Sequence, residues 1–151
     1  MPLAPSPARA AGWQQTPASG AGLGVTAAAP PTHLFVYGTL APGEVRWHHL
    51  APFVVGDAVE TAVGGDLYDT GLGYPAAMFG GEHLIVGRVY ALTPDRVVAA
   101  LAHLDEVESA VRGLYHRVMV HTSSGHLAWA YQCGEAALLV LRIESGDWQQ
   151  R

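Results

Sequence analysis

One segment with clear helical periodicity, set among strand-like segments, constrains the fold of this chain most. The stretch Thr93 to Asp95 is typical of a helix N-terminus, with Thr93 predicted as the N-cap and a proline at the first helical position. Val97, Leu101 and Leu104 then recur at spacings of four and three and form one apolar stripe. The sequence therefore predicts one main helix that packs against the rest of the fold through this stripe.

Six strand-like segments flank this helix. They are rich in aromatic and β-branched residues, and most are separated by Gly, Pro, Asp or Ser. They are His33–Tyr37, Phe53–Val59, Val63–Tyr68, Leu84–Leu92, Tyr115–His121 and Leu127–Gln132. Residues 138–143 fit either a final strand or a helical turn, and the pattern leaves both open. The set predicts an α+β arrangement or a small barrel.

Residues 1–31 differ in composition from the rest of the chain. They are rich in Ala, Pro, Gly and Ser and have neither helical nor strand periodicity, which predicts a disordered leader followed by a folded domain over residues 32–151. Arg9 is the single charge, and polar residues 14–17 interrupt any apolar run that a secretory signal would need. No stretch approaches the ~20 apolar residues of a membrane span. We therefore expect a cytoplasmic protein.

The composition disfavours several functional classes. Half of the 151 residues are hydrophobic and the formal net charge is −5, which favours a folded domain. All eight basic residues are arginines, and they form no basic patch of the kind that nucleic acid requires. Cys133 is the one cysteine, so an internal disulfide is impossible, and the scattered histidines make a metal site a weak interpretation.

Glu108 occupies an unusual position for a carboxylate. It is the next residue on the apolar stripe after Leu104, whereas Asp105 and Glu106 point towards other sides of the helix. A carboxylate on the core side must find partners or take up a proton through a raised pKa, which suits a general acid/base. The alternative is that the helix ends near Asp105 and Glu108 turns into solvent.

A second candidate feature follows the first strand. The turn Tyr37-Gly38-Thr39-Leu40 begins where Gly38 permits a tight backbone, and successive amide groups can then face one side and bind an anion such as a carboxylate. Thr39 adds a hydroxyl donor. An ordinary turn without a ligand remains the alternative for this segment.

Taken together, these segments resemble the γ-glutamylcyclotransferase-like family, which includes AIG2-like proteins and γ-glutamylamine cyclotransferases. The resemblance covers about residues 33 to 148. Its motifs, in family order, are Val36-Tyr37-Gly38-Thr39-Leu40, Gly65-Asp66-Leu67-Tyr68, Tyr74-Pro75-Ala76, Gly87-Arg88-Val89-Tyr90, Leu104-Asp105-Glu106-Val107-Glu108, Tyr115-His116-Arg117 and Ser145-Gly146-Asp147-Trp148.

The resemblance implies a small mixed β-barrel with one main helix packed against it and a cavity at one end. It implies a cofactor-independent acyl-transfer or lyase-type enzyme without a metal, which releases 5-oxoproline and a free amine from a γ-glutamyl amine or γ-glutamyl amino acid by intramolecular aminolysis. Its partner would be this small-molecule substrate, with neither nucleic acid nor membrane. The implied catalytic residue is Glu108, and the implied substrate-binding residues are Tyr37, Gly38, Thr39, Leu40 and Tyr115.

The sequence departs from the family pattern at three places. Ser109 stands where Gly more often follows the catalytic Glu, Arg88 replaces a common acidic residue, and Arg46-Trp47 lie where some members carry Asn-His. The leaving amine and the oligomeric state stay open, and loop residues 41–49 and 71–81 are expected to determine the amine. A non-catalytic binding or interaction domain with the same pocket is the main alternative, and a purely structural protein is the third.

Overall fold

Six strands form one mixed sheet in a computed structural model that describes residues 30–40, 43–44, 46–109 and 115–151. The strands are β1 (His33–Val36), β2 (Val54–Asp69), β3 (Pro75–Leu92), β4 (Tyr115–His121), β5 (Leu127–Cys133) and β6 (Leu141–Arg142). Their order in the sheet is β4-β5-β1-β3-β2-β6, with β1 parallel to β5 and every other pair antiparallel. The sheet curls into a half-barrel, which confirms the predicted α+β fold. Residues 1–29 of the predicted leader lie outside the described residues.

Two α-helices accompany the sheet. They are the short α1 (Trp47–Leu50) and the main helix α2 (Val97–Ser109), and single 3-10 turns occupy residues 51–53, 94–96, 136–138 and 148–150. Thr93 occupies the predicted N-cap position, and Pro94 begins the 3-10 turn that leads into α2. The Thr93 hydroxyl makes no cap bond and instead donates to the carbonyl of Phe53 at 3.1 Å. In the described part of the chain, no helix is long and apolar enough to cross a membrane.

The strands β2 and β3 are longer than the sequence predicts. The predicted strands 53–59 and 63–68 form one strand, because register shifts between Val55 and Val59 and between Gly64 and Gly65 absorb the irregularity without a break. The predicted strand 84–92 extends back to Pro75, so most of the predicted loop 71–81 is strand. In residues 138–143, Leu138 ends a 3-10 turn and Leu141–Arg142 form the short strand β6, so a helical turn and a strand both occur there.

The central strand β1 is buried on both faces, which explains its unbroken apolar run. Leu34 and Val36 belong to the hydrophobic cluster that includes Leu101 and Leu104 of α2, whereas Phe35 belongs to a second cluster. Burial of each such side chain contributes roughly 1.5–3 kcal/mol relative to an exposed one. This packing fixes α2 against the sheet beside the end of β1.

Candidate active site

A pocket lies where β1 ends, close to the C-terminal end of α2. Among the described residues, its lining contains one carboxylate, Glu108, and one cation, Arg46. The lining residues are Phe35, Val36, Tyr37, Gly38, Thr39, Leu40, Arg46, Tyr74, Pro75, Glu108, Tyr115 and Tyr131. All six residues that the sequence predicts for the site therefore lie around one pocket.

Glu108 points to the core side of α2, as the apolar stripe predicts. The helix continues to Ser109, and Glu108 is only 8% exposed. Burial raises its pKa to about 7, although the positive charge of Arg46 acts in the opposite direction. Near neutral pH this carboxyl group therefore exchanges between its ionised and protonated forms, as a general acid/base must.

Arg46 is the ion-pair partner of Glu108. Its Nη1 lies 3.2 Å from Oε2 of Glu108, and its guanidinium lies 5.9 Å from the ring centroid of Tyr74. The backbone amide of Arg46 donates to the carbonyl of Thr39 at 2.8 Å, so the segment preceding α1 folds back onto the turn after β1. In the sequence, Arg46 stands out only as a departure from the family pattern, and nothing there indicates its contact with Glu108.

The turn at residues 38–40 is held tightly against the start of β3. A Cβ atom on Gly38 would lie 2.6 Å from Cγ of Pro75, so a larger residue does not fit without movement. Thr39 is buried, and Leu40 belongs to the larger hydrophobic cluster. Within the described ranges, no acceptor is found for the amides of residues 38–40.

Of the four tyrosines in the pocket lining, Tyr37, Tyr115 and Tyr131 have hydroxyl groups that already donate hydrogen bonds. Tyr37 donates to the carbonyl of Tyr131, and Tyr115 donates to the carbonyl of Pro75. Burial, more than nearby charge, raises the pKa of all three phenols above their usual value, so they stay protonated in the physiological range. They act as neutral walls and hydrogen-bond donors, and Tyr115 also fixes the residue against which Gly38 packs.

Asp105 links α2 to the sheet one turn before Glu108. It accepts two bonds from Arg117, at 2.9 and 3.1 Å, and one from the hydroxyl of Tyr131 at 2.7 Å. Burial raises the pKa of Asp105, but the hydrogen bonds from Arg117 and Tyr131 outweigh it and hold that pKa below its usual value. The arrangement joins α2, β4 and β5 beside the pocket.

The described residues contain no cluster of three or more His, Cys, Asp or Glu side chains arranged to hold a metal ion. The buried thiol of Cys133 has its pKa raised by burial, and its Sγ lies 3.1 Å from the carbonyl of Glu135. A raised pKa disfavours the thiolate that a cysteine nucleophile requires. Cys133 is not part of the pocket lining, whose charged side chains among the described residues are Glu108 and Arg46.

A family model described as gamma-glutamyl cyclotransferase, AIG2-like, matches residues 34–150. The chain belongs to this family. The match starts in β1 and extends beyond β6, so it includes every element around the pocket. The resemblance stated from the sequence motifs is thus confirmed.

The names of two similar proteins support this family assignment. The chain is 31% identical over 126 residues to the gamma-L-glutamyl-butirosin B gamma-glutamyl cyclotransferase of Niallia circulans, covering 78% of this chain and 76% of that protein. It is 36% identical over 118 residues to a Vibrio cholerae protein named as a putative gamma-glutamylcyclotransferase, covering 78% of this chain and 96% of that protein. Among solved structures, an uncharacterised Pyrococcus horikoshii protein superposes with a TM-score of 0.61 and 25% identity over 78% of this chain and 90% of its own.

The family assignment places the chain among the γ-glutamylcyclotransferases in the broad sense. Tyr74, Pro75 and Tyr131 line the pocket of this family member in addition to the predicted residues. The first two were visible in the sequence as part of the Tyr-Pro-Ala motif, but nothing in that motif indicated contact with the Gly38 turn. Tyr131 carried no sequence signal, because an aromatic residue in a strand is typical of any core.

Proposed function

We propose that this enzyme releases 5-oxoproline from a γ-glutamyl amine or γ-glutamyl amino acid by intramolecular aminolysis. The α-nitrogen of the substrate attacks its own γ-carbonyl carbon, a carbon–nitrogen bond closes a five-membered lactam, and the original amide bond breaks. Two protons leave the α-ammonium, one before the attack and one from the new carbon–nitrogen bond's nitrogen, and two reach the departing nitrogen, which leaves as an ammonium ion. Atoms and charge balance without water, oxidant or cofactor, so the protein must only position the substrate and move these protons.

The observation that carries this proposal is the buried carboxylate of Glu108 at the pocket wall. With a pKa of about 7, set chiefly by burial, Glu108 can accept a proton from the substrate ammonium and then return it to the leaving amine. It is the one carboxylate in the described part of the pocket lining, and burial keeps the phenols of Tyr37, Tyr115 and Tyr131 protonated.

The turn at residues 38–40 supports the second part of the proposal. Its residues line the pocket, and among the described residues no acceptor is found for its amides. Such a turn can bind either the α-carboxylate of the substrate or the oxyanion that develops on the γ-carbonyl. Each donor to an oxyanion typically contributes about 2.7–4 kcal/mol to transition-state stabilisation. The name of the Niallia circulans relative, which specifies a γ-glutamyl compound as its substrate, supports this substrate class.

A 5-oxoproline assay with a panel of γ-glutamyl compounds tests the proposal. Glu108→Gln keeps the shape of the side chain but cannot accept the proton, so kcat should fall by about 10²–10⁴-fold while the protein stays folded. Glu106→Gln is the matched control, because it makes the same change at an exposed position of the same helix.

Two results would contradict the proposal. Near wild-type turnover by Glu108→Gln would remove Glu108 from the mechanism. Saturable binding of γ-glutamyl compounds without any product would instead favour the non-catalytic binding domain that the sequence left open.

A further inference from the structure

We infer that Arg46 binds a carboxylate on the leaving amine, so that the enzyme prefers γ-glutamyl amino acids over γ-glutamyl amines that lack an acidic group. This inference rests on the proposed function and concerns the specificity of the same pocket. It depends on where Arg46 lies, which donors it has left, and what happens to its charge during proton transfer.

Arg46 lies nearer to solvent than the carboxylate it contacts. Its side chain is 25% exposed, compared with 11% for that of Glu108. A substrate whose γ-glutamyl part reaches Glu108 must leave its amine on the solvent side of this carboxylate. The guanidinium of Arg46 and the ring of Tyr74 are therefore positioned beside the leaving group rather than beside the γ-glutamyl part.

The guanidinium keeps donors available for a second anion. It carries five N–H groups, and in the described ranges its polar side-chain contact is the single bond to Glu108 at 3.2 Å. The nearby Tyr74 ring packs 5.9 Å from the guanidinium carbon and restricts its orientation. A carboxylate matches the remaining N–H groups in both charge and planar geometry.

Proton transfer to Glu108 changes the balance of charge around Arg46. Before the reaction, the ionised carboxylate of Glu108 compensates the guanidinium. When Glu108 accepts the proton from the substrate, it becomes neutral, and the described lining offers no other carboxylate. A carboxylate on the leaving amine would then compensate Arg46, whereas a cationic leaving amine would be repelled by it.

Three substrates that differ at one group test this inference. They are γ-L-glutamyl-L-alanine, γ-L-glutamyl-L-alaninamide, in which a neutral amide replaces the carboxylate of alanine, and γ-L-glutamylethylamine, in which that carboxylate is absent. The wild-type kcat/KM should be about tenfold or more higher for the first than for the other two, which corresponds to one charge-assisted hydrogen bond. Equal values for the three substrates would overturn the inference.

Variants at position 46 assign the preference to this side chain. In Arg46→Gln the ratio between the first substrate and the other two should fall to about twofold or less, and Arg46→Lys should keep an intermediate ratio because it retains charge without the planar fork. Any change in the pKa of Glu108 acts on all three substrates and cancels in the ratio. Arg88→Gln, which removes an arginine outside the pocket lining, should keep the wild-type ratio.

The possible outcomes separate this inference from the proposed function. Turnover of all three substrates with no preference, or a preference that persists in a folded Arg46→Gln variant, overturns the role of Arg46 and leaves the proposed function intact. Absence of turnover with every γ-glutamyl compound removes the proposed function and this inference with it. Should Arg46→Gln fail to fold, the wild-type comparison and Arg46→Lys still decide the question.

Discussion

Nη1 of Arg46 lies 3.2 Å from Oε2 of Glu108, although 62 residues separate the two along the chain. The pair combines a carboxylate that is almost fully buried with a guanidinium that is a quarter exposed. Burial favours the protonated form of Glu108 and the guanidinium favours its ionised form, and burial is the larger effect. The balance holds the pKa of Glu108 at about 7 and makes the pH response of this enzyme predictable.

The pH dependence of activity should report the ionisation of Glu108. If its ionised form accepts the substrate proton, kcat/KM should rise with pH along a limb centred near 7. Arg46→Gln removes the charge that favours the ionised form, so the limb should move to higher pH by about one unit. Measurement of kcat/KM from pH 5 to 9 for both proteins checks this. A limb near the ordinary carboxyl value, or one that does not move in the variant, would contradict the account.

The pH dependence of stability should have the opposite sign to that of activity. The pKa of Glu108 is raised from 4.5 to about 7 in the folded state. Between pH 4.5 and pH 7, the folded state therefore keeps a proton that the unfolded state has released. This contribution to the free energy of unfolding is complete below pH 4.5 and disappears as the pH rises through 7. The total loss is about 3 kcal/mol.

Glu108→Gln should remove this loss. Its free energy of unfolding should be more nearly constant between pH 5 and pH 8, so the difference from wild type should shift in favour of the variant by up to about 3 kcal/mol over that range. Urea unfolding of both proteins at several pH values measures it, with Glu106→Gln as the control for an exposed carboxylate on the same helix. Parallel pH profiles for wild type and Glu108→Gln would show that Glu108 titrates normally.

The contact between Gly38 and Pro75 should make position 38 intolerant of a side chain. A Cβ at position 38 would meet Cγ of Pro75 at 2.6 Å, so Gly38→Ala should destabilise the protein by about 1–3 kcal/mol and lower kcat/KM by displacing the turn. Pro75→Ala removes the ring atoms that clash, so the double variant should be more stable than the sum of the single changes predicts. Strictly additive free energies of unfolding would show that this contact does not limit position 38.

The link from Asp105 to Arg117 should act on Glu108 through the position of α2. Both side chains are partly exposed, at 43% and 25%, so Asp105→Asn should reduce stability by only about 1 kcal/mol. The expected effect on catalysis is larger, about tenfold in kcat/KM, because the next helical turn carries Glu108. A shift of the pH limb in Asp105→Asn would distinguish altered positioning of Glu108 from a simple loss of stability.

Glu60→Gln serves as the control for the Asp105 prediction. Its carboxylate is 84% exposed and lies 3.8 Å from Arg88, outside the pocket lining. The change should leave both kcat/KM and the pH limb as in wild type. An Asp105→Asn variant that behaves like Glu60→Gln would exclude a positioning role for Asp105.

The local pattern of the sequence was sufficient for the elements whose periodicity is strong. The stripe of Val97, Leu101 and Leu104 predicted α2 and placed Glu108 on its core side, because side chains four apart lie on one face of a helix. The run at residues 33–37 predicted β1, whose position at the centre of the sheet is the reason that it is apolar on both faces. These properties depend on residues close together in the chain.

The tertiary structure decided how distant segments meet. Two predicted strands form the single strand β2 because bulges shift its register against β3 without breaking the pairing. No local pattern specifies that pairing. The contact of Arg46 with Glu108 likewise depends on the amide bond from Arg46 to Thr39 and on the packing of α2 beside β1. The sequence by itself determined which carboxylate continues the apolar stripe, because that follows from local periodicity. The fold determined that the helix extends far enough to bury it and which cation accompanies it, because an ion pair across 62 residues requires the folded backbone.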